Sequence, residues 1–274
     1  MWTIENRARY DRSKLRYPSD LTDEEWSHVE PLIRPGKRGG NKRTVNVREV
    51  VNGLMYILST GCQWRAIPKD LPPRSTVYDY FELWSWDGTL DRIHDTLYVK
   101  CREQASRDAS PTVAIIDSQS VKSAEKGGLR LIRRVTTRGR RSSKKQHILV
   151  DTQGLLMHAI VHAAHVQDRD GGVWLMAVLF ARYPFLVKLY ADGGYQGPQF
   201  RRAIKKILRR VTLEIVKRSD QAKGIVVLPK RWIVERTIAW LNRCRRLSKD
   251  WENLNCKALA FLPLASIRLM LRRL

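Results

Sequence analysis

Three acidic residues stand where an acid is expensive to keep. Asp117 follows the apolar run Val113-Ala114-Ile115-Ile116, and Asp192 follows Leu186-Val187-Lys188-Leu189-Tyr190, so each carboxylate is expected at the C-terminal end of a buried strand. A carboxylate there costs free energy unless a cation or hydrogen bonds offset it, and two on neighbouring strands can share a metal ion. The third, Glu235, lies in Arg231-Trp232-Ile233-Val234-Glu235-Arg236-Thr237-Ile238-Ala239-Trp240-Leu241, whose apolar positions recur at helical spacing. Trp232, Ala239 and Ile238 are expected to pack inward there, with Arg231 on the same helix face as Glu235. Each acid also has a plainer reading. A strand-ending Asp often only caps a turn, and Arg231 with Glu235 can be an ordinary i,i+4 ion pair. Taken together, three oxygen ligands from two strands and a helix make a hard site suited to Mg²⁺, with Mn²⁺ as a substitute, and not to zinc. Two such ions about 3.5–4 Å apart activate an attacking oxygen and stabilise a leaving oxygen at phosphorus. Gly193-Gly194-Tyr195-Gln196-Gly197 lets a backbone or substrate approach Asp192 closely, and Ser118, Gln119 and Ser120 offer polar contacts beside Asp117.

The elements that must carry these residues change character along the chain. Thr22-Asp23-Glu24-Glu25 is a capping box that opens a helix presenting Trp26, Val29, Leu32 and Ile33 and stopping near Pro35. A Gly-rich basic connector, 36–43, comes next. A second helix spans about 46–59 with Gly61 as its stop; a third begins after Pro72-Pro73, capped by Ser75 or Thr76; a fourth spans about 90–103. Short helices behind a basic connector are similar to a helix-turn-helix DNA reader whose recognition helix is 74–86; the plainer alternative is a helical bundle that only supports the second domain. Trp64, Trp84 and Trp86 are expected in its core. After Pro111 short apolar runs take over, giving strands at 112–116, 147–151, 155–161 and 186–190 with a helix at 171–182. The reading is therefore α/β, with residues 1–110 an all-α domain and 111–274 a layered domain of strands and helices.

Composition names the partner. The chain has 274 residues, 43% of them hydrophobic, with 51 Lys and Arg against 27 Asp and Glu, a formal net charge of +24. Residues 121–150 hold 10 basic side chains and 1 acidic, residues 201–250 hold 16 and 4, while residues 1–110 are nearly balanced at 18 and 16. Solvated faces mix signs, so two one-sided segments point to a polyanion, nucleic acid above all. The side chains expected on its backbone are Arg38, Lys42 and Arg43 in the connector and Arg74 and Tyr78 on the third helix. Lys122, Lys126, Arg140, Lys144 and Lys145 join them around the first strand, and Arg231, Arg236, Arg243, Arg245 and Arg246 around Glu235. Cys62, Cys101, Cys244 and Cys256 are scattered without a CxxC pair and read as buried thiols. His158, His162 and His165 lie close in sequence, but in an apolar stretch that lacks a cysteine or acidic partner for a metal. No apolar run approaches membrane-spanning length and the opening residues are polar, so the expected location is the cytoplasm.

Several stretches resemble one family. Tyr17-Pro18-Ser19-Asp20-Leu21-Thr22-Asp23-Glu24-Glu25-Trp26, Thr60-Gly61-Cys62-Gln63-Trp64-Arg65 and Ser75-Thr76-Val77-Tyr78 look like the N-terminal part of the DDE transposases of bacterial insertion sequences, in the IS-five group. Ile116-Asp117-Ser118-Gln119-Ser120-Val121-Lys122, Ala191-Asp192-Gly193-Gly194-Tyr195 and Val234-Glu235-Arg236 with Trp240-Leu241 resemble its three catalytic motifs. The resemblance implies an RNase H-like mixed sheet flanked by helices, preceded by the helix-turn-helix-like domain, with the three acids binding divalent metal. It implies recognition of terminal inverted repeats, hydrolytic nicking at the element's ends, and attack of the freed 3′-hydroxyl on target DNA by a homodimer or larger assembly. One departure stands out: of the related Tyr-x2-Arg-x3-Glu-x6-Lys pattern, Arg231 and Glu235 fit, whereas Leu228 and Asn242 occupy the tyrosine and lysine places.

Overall fold

The capping box forms as its residue types dictate. The Thr22 hydroxyl accepts from the Glu25 amide at 3.2 Å and the Glu25 carboxylate accepts from the Thr22 amide at 3.0 Å, opening helix α1 (Asp23–Val29). The computed structural model describes residues 10–36, 43–124, 143–179, 182–216, 230–252 and 254–274. α1 ends earlier than the apolar pattern suggested because Pro31 has no amide to continue it, and a 3₁₀ turn (Glu30–Leu32) carries the chain on. Asn46 caps α2 (Val47–Thr60) by accepting from the Arg48 amide at 3.0 Å, and Gly61 ends it at φ 66°, a left-handed conformation suited to glycine. Ser75 and Thr76 do not cap α3 (Arg74–Trp86), since Pro73 is already the N-cap and both fall in the first turn. The connection from α2 to α3, 61–73, includes a 3₁₀ turn (Trp64–Ala66) and is longer than the three to four residues of a compact helix-turn-helix. α4 (Thr89–Gln104) completes the all-helical first part.

Beyond it lies a five-stranded mixed sheet: β1 (Val113–Lys122), β2 (Ser143–Asp151), β3 (Leu156–Ala163), β4 (Lys188–Ala191) and β5 (Thr212–Ile215), in the order β3-β2-β1-β4-β5. β1, β2 and β3 pair antiparallel, whereas β4 and β5 join parallel to β1, the RNase H-like arrangement. Helix α5 (Asp168–Val178) links β3 to β4 and α6 (Pro198–Ile207) links β4 to β5, the crossover that parallel neighbours require. α7 (Arg231–Asn242) and α8 (Asn255–Leu271) close the described chain, giving eight α-helices among the described residues, none long and apolar enough to cross a membrane.

Period-two alternation gives the sheet two different faces. Gln119 and Gln146, opposite each other in register, meet Asn242 of α7, while Ser118 and His147, the next pair along, face Tyr195 and α5. One contiguous core joins the helical part to the sheet. Phe261 of α8 stacks on Phe81 of α3 with ring centroids 4.7 Å apart, and Arg102 of α4 forms a buried ion pair with Asp151 at the end of β2. Asp151 also accepts from the amides of Gln153 and Leu155, both at 2.9 Å, so one carboxylate ties the β2–β3 turn to α4. Of the tryptophans expected inside, Trp84 is buried and Trp64 packs edge-on against Tyr78, but Trp86 is 86% exposed at the C-terminal end of α3. The three histidines do not form a cluster: His162 stacks on His147 instead, and His165 is exposed. Of the four cysteines, Cys101 and Cys244 are buried and Cys256 is exposed.

The packing of α5 on the sheet sets two stability outcomes. A Cβ at Gly171 would stand 2.3 Å from His147 Nε2 and 2.5 Å from His162 Nε2. Gly171→Ala, which in an open helix stabilises by up to about 1 kcal/mol, is therefore expected to destabilise by roughly 1–3 kcal/mol in denaturant titrations. The His147 ring is fully buried, and burial, aided by His162, holds its pKa down to about 4. The unfolded chain thus binds this proton first: the stability contributed by His147 is whole above about pH 6.5 and is lost as pH falls towards 4, by up to about 1.4 kcal/mol per pH unit. Denaturation midpoints at pH 7 and pH 5 check this: His147→Gln should raise stability at pH 5 relative to pH 7 against the wild type, leaving the shares of His158 and Asp117 in place, and an unchanged pH dependence in the variant contradicts it.

Candidate active site

β1 does not stop at its acid. The strand continues five residues past Asp117 to Lys122, because its polar second half still pairs with β2, so Asp117 sits inside a central strand and not at its end. Its side chain is 9% exposed and its Oδ1 accepts from the Ser118 amide at 2.7 Å. Asp192 does end its strand, following Ala191 of β4 directly and capping the 3₁₀ turn Gly193–Tyr195 by accepting from the Gly194 amide at 2.9 Å. β1 and β4 run parallel with Ile115 level with Tyr190; the same register carried two residues further brings Asp117 level with Asp192.

Glu235 comes from α7, which packs across β1 and β2. Its buried stripe is Ile233, Thr237 and Leu241 with Val234, fixed where the Thr237 hydroxyl donates to the Gly154 carbonyl at 2.8 Å. Ile238 is half-buried against the core, but Trp232 and Ala239 face outward, against expectation. Trp232 is 42% exposed because it belongs to a second stripe in which the Arg236 guanidinium lies between the rings of Trp232 and Trp240, 4.6 Å from each. Glu235, 53% exposed, reaches the Arg231 Nε at 3.0 Å, and the other end of the same guanidinium stands 3.6 Å from Asp192 Oδ2. The i,i+4 pair is thus real, and it also bridges two of the three acids.

Asp117, Asp192 and Glu235 act on one another. Burial pushes the Asp117 carboxyl up to about 6; the Ser118 amide and Arg231 draw it down, and Asp192 and Glu235 push it further up. As the side chains are arranged, no three His, Cys, Asp or Glu among the described residues stand at metal-holding distance, and Arg231 is the cation among the acids. The donor set nonetheless fits a hard divalent cation: carboxylate oxygens only, two of them on strands in register and the third on a long, exposed side chain beside them.

A family described as the transposase DDE domain matches residues 108–269, and one described as an IS4/5-family transposase matches residues 21–94. The chain belongs to the DDE transposase family. It is similar to an uncharacterized 16.2 kDa protein of insertion element IS402 from Burkholderia cepacia, 31% identical over 39% of this chain and 76% of that protein. It is also similar to a protein assigned as the transposase of IS402 in the same organism, 34% identical over 41% of this chain, and spans about half (55%) of that protein's length. No solved structure matches. DDE transposase domains depend on divalent metal, in keeping with the donor set of this transposase.

The basic residues divide by environment. Arg74, Lys122, Arg243 and Arg245 are exposed, and so is Tyr78 at 37%. Arg43 donates to the Arg34 carbonyl and lies over Tyr80. Lys145 pairs with Asp168 at 2.9 Å. Lys144 and Arg246 turn inward: Lys144 pairs with Asp250 at 3.1 Å and Arg246 with Glu252, both cations about 95% buried. Arg38, Lys42, Lys126, Arg140 and the tyrosine-place Leu228 lie outside the described residues. At the lysine place, Asn242 donates to Gln119 Oε1 at 2.9 Å, so an amide pair stands where the related pattern has a cation.

Residues missed by sequence reasoning are Asp168, Tyr195 and His147. Tyr195 is fully buried with its hydroxyl 2.7 Å from His147 Nδ1, and it anchors the turn that Asp192 caps. Arg231→Ala should leave the acids facing one another without their cation. The expected loss is at most about 1 kcal/mol, since Arg231 is partly exposed, or a thermal midpoint lower by about 2–4 °C in chelator. Millimolar Mg²⁺ should narrow the gap; a midpoint equal to wild type in chelator would show that Arg231 does not hold the acids together.

Proposed function

We propose that this transposase binds the terminal inverted repeats of an insertion sequence and catalyses cleavage and strand transfer of DNA at the element's ends, with Asp117, Asp192 and Glu235 holding Mg²⁺ or Mn²⁺. The observation that carries the reading is the register of β1 and β4, which sets Asp117 level with Asp192, together with the Arg231 bridge from Asp192 to Glu235. When bound, a pair of divalent ions activates the attacking oxygen and stabilises the leaving oxygen at phosphorus.

The protein's own residues supply orientation and charge. The Ser118 and Gly194 amides fix the carboxylates of Asp117 and Asp192, leaving their other oxygens for the cation. Arg231, a five-donor fork, offers donors to a phosphodiester oxygen once the acids are otherwise neutralised. The exposed Lys122, Arg243 and Arg245, together with the half-buried Arg236 and Lys145, hold the phosphate backbone near the acids, and Arg43, Arg74 and Tyr78 hold it near α3. Lys144 and Arg246, spent on internal partners, contribute only by keeping that surface in shape. Residues 1–110 read the ends and residues 111–274 carry the chemistry. Two ends must be paired before strand transfer, so the working form is a homodimer or larger assembly on DNA, in the cytoplasm at the nucleoid.

The test is incubation of the purified chain with duplexes bearing its own element's ends and Mg²⁺, with nicked and joined strands resolved on gels. Asp117→Ala, Asp192→Ala and Glu235→Ala should each reduce product at least about 10³-fold, as loss of groups that act as a unit does, with binding of the duplex kept within threefold. Cleavage retained by any one variant removes that residue from the site. Nicks without joined products leave a nuclease and contradict strand transfer.

A further inference from the structure

Asp168 has no part in the chemistry described so far, yet it bonds to the residue after Asp117 and stands beside the turn that Asp192 caps. It opens α5, on the face of the sheet away from α7. Its Oδ1 accepts from the Ser118 hydroxyl at 2.8 Å and from Lys145 Nζ at 2.9 Å. Ser118 lies beyond the last β1–β4 pair, and its amide is the one that holds Asp117. On the other side, a Cβ at Gly194 would stand 3.0 Å from Asp168 Oδ2 and 3.1 Å from Asp192 Oδ1, so the two carboxylates flank a single glycine whose amide holds Asp192.

A fourth acid so near the others adds repulsion unless it is neutralised and has a task. Lys145 supplies the neutralisation, itself held by the Val166 carbonyl at 3.1 Å. Burial would raise the Asp168 carboxyl, but the hydrogen bonds from Lys145 and Ser118 hold it below the ordinary carboxylate range, so it stays an acceptor at neutral pH. The task is visible in the bonds: Ser118 has its hydroxyl on Asp168 and its amide on Asp117.

We propose that Asp168 is a positioning residue of the carboxylate site, acting through Ser118 to fix Asp117 and, from its place beside Gly194, to fix the turn that carries Asp192. It rests on the reading of those acids as metal holders. Asp168 is not itself a ligand in this assignment; its Oδ1 is occupied twice.

The test compares Asp168→Ala, Asp168→Asn and Ser118→Ala with the wild-type full chain. Mn²⁺ binding is read from the electron paramagnetic resonance signal of free Mn²⁺, with no DNA present. Asp168→Ala and Ser118→Ala are expected to weaken Mn²⁺ roughly tenfold, the usual order for partners that orient ligands. Asp168→Asn, which keeps an acceptor for the Ser118 hydroxyl, should recover binding to within about threefold of wild type. With end-bearing duplex, kcat should fall in the same order across the series while KM for DNA stays constant. Mn²⁺ affinity unchanged in both Asp168→Ala and Ser118→Ala overturns the proposal and leaves the metal reading intact, as does a loss in Asp168→Asn equal to that in Asp168→Ala. Wild-type protein that binds no Mn²⁺ overturns the metal reading and this one with it. Where Asp168→Ala fails to fold by circular dichroism, Ser118→Ala and Asp168→Asn still decide, since each leaves the Asp168 backbone and bulk in place or nearly so.

Discussion

Carboxylates repel, and the interior of a protein screens that repulsion poorly. Bringing Asp117, Asp192 and Glu235 together is therefore the costly act around which this fold is arranged. The carboxyl of Asp117 shows the cost directly, pushed up to about 6 by burial and by its two acidic neighbours. Positive charge must be delivered among them. In the protein alone that charge is Arg231, within 3.0 Å of Glu235 and 3.6 Å of Asp192, and it comes from the same helix as Glu235, so one element brings both the third acid and its counter-ion. Arg231 thus does, in the protein alone, the neutralising work that the proposed reading hands to an entering divalent ion.

Such an arrangement needs a scaffold that cannot relax the acids apart. β1 is central in the sheet, and Ala114, Ile115 and Ile116 are each at most 1% exposed, so the approach to Asp117 is fully packed. A strand in that position cannot slip, because a one-residue shift would turn its apolar side chains to the wrong face. The helical first part adds to the restraint. Asp151 closes the β2–β3 turn and pairs with Arg102 of α4, while α8 packs against both α4 and β3, so helices and sheet share one core. The chain divides by composition near residue 110; its packing does not.

What the sequence made legible is what local pattern controls. Asp117 and Asp192 were readable because apolar runs announce buried strands, and the capping box at Thr22 and the stop at Gly61 are written in three or four residues. Features set by distant partners were not. The second half of β1 is polar, Ser118 to Lys122, and is a strand only because β2 pairs with it residue for residue. Trp232 was expected inside on hydrophobicity, yet the ring serves a neighbouring arginine at the surface, a role that burial scales do not encode. β5 and α6 are short and strongly polar, and went unread. α8 is different, since its apolar residues from Ala258 to Leu271 form a run that periodicity could have found. Asp168 carried one weak signal, an acid beside Gln167 at the start of a helix, where the dipole favours negative charge; its bonds to Ser118 and Lys145 join residues 50 and 23 positions away and have no local trace.

Charge counting in particular needs the structure to be read correctly. The segment 201–250 is strongly basic, but not all of its cations, nor those of β2, face a ligand. Arg246 is buried against Glu252 and the Cys62 carbonyl, and Lys144 against Asp250 and the Glu252 carbonyl, so the turn carrying Asp250 and Glu252 collects two cations from elements far apart in sequence. A buried cation paired in this way is costly to separate from its partner and is not free to bind phosphate. The same turn meets β1 through the Ser123–Asp250 bridge, directly after Lys122. Part of the basic excess therefore braces the end of the strand that bears Asp117 and is not available to a ligand, whereas Lys122, Arg243 and Arg245 stay exposed, as do Arg201, Arg202, Lys205, Lys206, Arg209 and Arg210 on and just after α6. The inward cations thus act on the strand of Asp117 from within, through the turn that Asp250 and Glu252 close against β1 and β2.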